Sequence, residues 1–62
     1  MALNFADLET FYEELARTLD RLSPSEREVF LCKLSLLMAR DLGDLSRVQA
    51  MIQTAQNHLE KV

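Results

Sequence analysis

Ser23-Pro24-Ser25-Glu26 and Gly43-Asp44 punctuate this chain, and the segment they enclose decides the fold. The Ser23 hydroxyl is placed to accept from the backbone amide of Glu26, whose carboxylate reaches back to the Ser23 amide. Pro24 fills the first helical position, where its missing N–H costs nothing. At the other end Gly43 supplies the left-handed residue that ends helices, and Asp44 caps a new one at once. The spacing predicts a helix over 24–42.

The reading extends outward in both directions. Towards the N-terminus, Asn4 is a good N-cap with Asp7 three residues on, and Leu3 and Leu8 occupy the two hydrophobic-staple positions. Phe5, Leu8, Tyr12, Leu15, Leu19 and Leu22 then step by three and four residues, an apolar stripe along one helix face. After Asp44 the same spacing returns in Leu45, Val48, Ile52, Ala55, Leu59 and Val62, with Phe11 and Met51 just beside their stripes. Helices over about 5–22, 24–42 and 45–61, joined by turns of one or two residues, make an all-α, three-helix bundle in a single domain spanning 1–62.

A chain of 62 residues and 7.1 kDa leaves no room for a second domain. At this size a folded chain buries only about 60% of its unfolded surface, so a lone monomer is marginally stable. A 48% hydrophobic content with one Gly and one Pro excludes a disordered chain. One Cys excludes a disulfide framework, and one His leaves no cluster for a structural zinc. No apolar run reaches membrane-spanning length, and the first residues lack a basic segment followed by an apolar core, so a cytoplasmic location is expected. The net charge of −3 opposes the basic footprint of a nucleic-acid binder. The whole imbalance lies in residues 1–22, where five acidic residues face Arg17 and Arg21, and it reads as a solvated helix face.

The middle helix carries two apolar faces. With Val29 at zero and about 100° per residue, Phe30, Leu31, Leu34, Leu37, Met38 and Leu42 centre near 150°. Val29, Cys32, Leu36 and Ala39 centre roughly 170° away, again with 3-4-3 spacing. A compact three-helix bundle is served by one broad stripe. Opposed stripes require either that helices 1 and 3 lie on opposite sides of helix 2, or that one face meets a second chain. The second strip is narrow, and Cys32 and Ala39 permit close approach of another backbone. Lys33 and Arg40 border it on one side, Glu28 and Ser35 on the other. An apolar strip with a polar rim favours self-association, a dimer above other states.

Chemistry is sparse. Cys32 sits inside the apolar strip with Lys33 its only adjacent charge, so it reads as a buried packing thiol and not a nucleophile. His58 stands near the C-terminus of helix 3, where the helix dipole favours positive charge. Glu9 and Glu13 share a face, but Arg17 lies four residues beyond Glu13, which reads as a solvated ion-pair row. Neither the Glu-x-x-His pairs of a dinuclear site nor a phosphate-cradling glycine loop is present. No catalytic residue, metal or cofactor is expected, and the chain reads as a non-enzyme.

The nine residues Leu22–Phe30 resemble the opening of the helix-turn-helix domains of LuxR-type regulators and sigma factors. The likeness ends there. Helix 2 runs on to Leu42, and Arg47 is the only early basic residue of the next helix, where a reading helix needs basic and amide groups. Over most of its length the chain is similar to a short bacterial family of unknown function. That resemblance rests on Asp7-Leu8-Glu9-Thr10-Phe11-Tyr12-Glu13-Glu14-Leu15, Phe30-Leu31-Cys32-Lys33-Leu34, Leu42-Gly43-Asp44, Arg47-Val48 and Ile52. The position of Cys32 is commonly Ala in that pattern, which weakens a catalytic thiol further. The resemblance implies a cytoplasmic helical protein, transfers no activity or cofactor, and points towards genes for flavin-dependent aromatic hydroxylases.

Three readings follow. The first is an interaction protein that self-associates through Val29, Cys32, Leu36 and Ala39, rimmed by Lys33 and Arg40. The second is an accessory subunit whose strip docks on a larger metabolic enzyme, and the third a small transcriptional regulator.

Overall fold

The computed structural model describes residues 3–60, with side chains to Leu59. Three helices follow in order: α1 (Phe5–Asp20), α2 (Pro24–Leu42) and α3 (Leu45–Glu60), with no strand among the described residues. The all-α, three-helix expectation holds. Residue 61 and the Val62 end of the third stripe lie outside the described residues.

The helix ends form as their side chains dictate. The Asp7 amide donates to Asn4 Oδ1 at 2.8 Å, with Asn4 in an extended conformation. At the second cap the Ser23 amide donates to Glu26 Oε1 at 2.9 Å and the Glu26 amide to Ser23 Oγ at 3.3 Å, a reciprocal pair. Gly43 has φ +69°, and its amide donates to the Ala39 carbonyl at 3.0 Å, the single bond of a left-handed cap. The Arg47 amide donates to Asp44 Oδ1 at 3.2 Å and starts α3.

One boundary differs from expectation. α1 stops at Asp20 and not at residue 22, so the first turn is three residues long. The Arg21 amide bonds to the Thr18 carbonyl and the Leu22 amide to the Leu19 carbonyl, a tightened last turn of i→i+3 type. The cause lies downstream. Pro24 biases Ser23 away from helical dihedrals, so the chain must leave the helix before it.

The chain divides into two compact units that meet within α2, Met1–Leu31 and Cys32–Val62. In the first, Phe11, Leu15, Ala16, Thr18, Leu19, Leu22 and Phe30 are half-buried. Arg27 Nε donates to the Leu19 carbonyl at 2.7 Å, so a side chain of α2 joins the Leu22 amide as a second donor to that oxygen at the end of α1. Among the described residues of the second unit only Leu34, Ala39 and Val48 are half-buried. No described residue of either unit is fully buried.

The stripes therefore form helices, but much of each stays uncovered. Phe5, Leu8 and Tyr12 are exposed while Leu15, Leu19 and Leu22 are half-buried, so the stripe of α1 is covered only in its second half. Phe11, beside the stripe, belongs to the covered face. On α3, Leu45, Ile52 and Leu59 are exposed and Val48 alone is partly covered among the described stripe residues larger than Ala.

Candidate functional site

The strip predicted on α2 lies open. Val29 is 54% exposed and Leu36 71%; Cys32 is also exposed, and only Ala39 is half-buried. Lys33, Arg40, Glu28 and Ser35 are exposed along its borders. The expectation of a buried Cys32 is thus corrected. Its neighbours on the strip are apolar, but among the described residues Val29, Cys32 and Leu36 all stay exposed, and burial of a thiol needs a covering surface as well as apolar neighbours.

Within the second unit a groove of about 450 Å³ runs between α2 and α3. Met38, Ala39 and Leu42 line it from α2, and Val48, Met51 and Ile52 from α3. Ala39 belongs to both strip and groove, so the two features are continuous. The groove was not read from the sequence. Its signals were Met51, set just off the stripe of α3, and the width of the larger apolar face of α2, which reaches Met38 and Leu42. Both helices use flexible methionines there, side chains that repack readily against a partner.

The polar residues are arranged as local structure demands. Glu13 and Arg17 approach to 3.7 Å with both side chains mostly exposed, the solvated pair expected from their spacing. His58 lies in the last turn of α3. Three threonines, Thr10, Thr18 and Thr54, donate back to carbonyls one turn earlier. The Glu26 carboxyl is held below its usual value, first by the Ser23 amide and then by the Ser23 hydroxyl. Its partners belong to the helix cap, so this perturbation is structural and marks no acid–base site. Among the described residues no group of three His, Cys, Asp or Glu is placed to hold a metal ion, and no helix is long and apolar enough to cross a membrane.

What these elements do offer is apolar surface. Among the described residues fourteen large apolar side chains are exposed.

Comparison with known proteins gives one match. Residues 1–57 fit the model of a family described as "Protein of unknown function (DUF2783)". No curated protein and no solved structure matches.

Proposed function

The chain belongs to this family of unknown function, and on that premise we propose that it is a non-enzymatic helical interaction module that associates with a second copy of itself through the open face of α2. The observation that carries the reading is the uncovered apolar surface. Fourteen large apolar side chains are exposed among the described residues, Val29, Leu36, Met38, Leu42, Met51 and Ile52 among them. A standard interface removes about 800 Å² from each partner, and obligate dimers remove more. The strip and the adjoining groove are the continuous part of that surface. Leu36 stands at its centre, with small residues at Cys32 and Ala39 where a second backbone must come close.

Cys32 supports a cytoplasmic setting for this association. An exposed lone thiol stays reduced there, whereas an oxidising compartment would convert it to adventitious adducts.

Light scattering across a dilution series, with thermal melts on the same samples, tests the proposal. A dimer whose melting temperature falls on dilution is the expected result, because association then contributes to folding stability by mass action. A cooperative monomer whose melt is independent of concentration overturns it. So does a chain that melts without cooperativity alone and gains a sharp transition only with a larger protein partner.

A further inference from the structure

Resting on that self-association, we propose that two copies pair with their α2 helices parallel, about a two-fold axis along the seam, and that Glu28 of each chain forms an ion pair with the partner's Lys33. The strip has heptad character: Val29 and Leu36 fall at a, Cys32 and Ala39 at d. Glu28 and Ser35 then fall at g, Lys33 and Arg40 at e. In a parallel pair each g residue meets the e residue five positions further along the partner, which sets Glu28 opposite the partner's Lys33, twice by symmetry. In an antiparallel pair the e rows face one another, and Lys33 and Arg40 would meet the partner's Lys33 and Arg40 in a purely repulsive cluster. Like charges at such positions select against the wrong arrangement as strongly as unlike charges favour the right one.

The apolar positions agree with the charges. Leu36 is 71% exposed and stacks against its own counterpart across the two-fold axis. Cys32 and Ala39 keep the d layers thin. Glu28 and Lys33 are both exposed, so neither must abandon a buried environment to form the pair. The occupant of the face is therefore a second copy of this chain, recognised by apolar layers and oriented by charge.

The test uses charge reversal on the full chain, with dissociation constants from sedimentation equilibrium at low salt and helicity from circular dichroism. Glu28→Lys and Lys33→Glu should each weaken association roughly tenfold, since either change turns two attractive pairs into repulsive ones. An equimolar mixture of the two variants should recover to within about twofold of the wild type, because the mixed dimer restores both pairs, one with its original polarity and one reversed. The double variant should recover equally, and salt of about 0.5 M should flatten all the differences. Tighter association by Lys33→Glu alone would overturn the parallel pairing, as it relieves the cluster of an antiparallel pair. Unchanged association by both single variants of a dimeric wild type would also overturn it, while leaving self-association intact. A wild type that is monomeric at every concentration removes both proposals at once.

Discussion

The two compact units of this chain use the same kind of helix to opposite effect. In the first, seven of the described side chains are half-buried, and Arg27 of α2 ties itself to the end of α1 at the Leu19 carbonyl. In the second, two helices of similar apolar content half-bury, among the described residues, only Leu34, Ala39 and Val48, and leave a groove between them. Apolar content alone therefore does not settle how much a helix pair covers. The first unit covers the second half of its α1 stripe with its own residues while Phe5, Leu8 and Tyr12 stay exposed, and the second leaves most of the apolar groups of both its helices open. On the proposal above, a second chain covers them.

That contrast is broken most decisively by substitutions that separate association from folding. Leu36→Glu is expected to weaken self-association by about 100-fold or more, since burying a large apolar side chain contributes roughly 1.5–3 kcal/mol and a carboxylate buried in its place costs further. At high dilution the same variant should retain the helicity of the dilute wild type, because Leu36 is open in the single chain. A variant with unchanged mass and melting temperature would remove the seam. Leu15→Ala probes the covered region instead. It should lower stability by about 1–2 kcal/mol, part of the cost of a fully buried Leu→Ala change, because the site is half-covered. The loss should be the same at every protein concentration, and urea melts at two concentrations a hundredfold apart would check it. A loss that grows with protein concentration and fades on dilution would place Leu15 in an interface and erase the distinction between the units.

The sequence made the helix ends legible and the coverage of their faces illegible, for one physical reason. A cap is a bargain among residues three or four positions apart, so Asn4, Ser23 with Glu26, Gly43 and Asp44 carry their own geometry, and each forms as its chemistry requires. Periodicity tells which residues share a face but not how far a neighbour extends along it. Phe5, Leu8 and Tyr12 continue the stripe of Leu15 and Leu19 without interruption, yet they are exposed. Phe11, off the stripe, is partly covered. Cys32 failed as a buried thiol in the same way. The strip was visible in the spacing of Val29, Cys32, Leu36 and Ala39, whereas the α2–α3 groove beside it depends on how two helices splay, which no local pattern encodes.

Smaller effects sharpen the comparison at the two turns. Gly43 joins the helices of the second unit with φ +69°, and a Cβ built there would meet nothing within 4 Å. Gly43→Ala therefore costs only the strain of the left-handed conformation, about 1–2 kcal/mol. Gly43→Asn should cost less, since Asn adopts that region more readily. Equal losses for Ala and Asn in urea melts would show that space, and not backbone conformation, governs the turn.

The first turn offers a pH signature. The Glu26 carboxyl is lowered from its ordinary value of 4.5 by the Ser23 amide and hydroxyl. A carboxyl depressed in the folded state stabilises the fold fully above its unfolded value, and that contribution disappears as pH falls through the lower folded value. Wild type should therefore lose stability faster than Glu26→Gln as pH drops from about 5 towards 3, with the two curves parallel above that window. Because the glutamine amide oxygen still accepts from the Ser23 amide, the neutral variant keeps the cap's shape while losing its charge. The difference should be small, since the group is exposed, and thermal melts of the two proteins at half-unit pH steps would resolve it. If the curves stay parallel throughout, the cap works by hydrogen-bond geometry alone, and the carboxylate charge contributes nothing to the turn that joins α1 to α2.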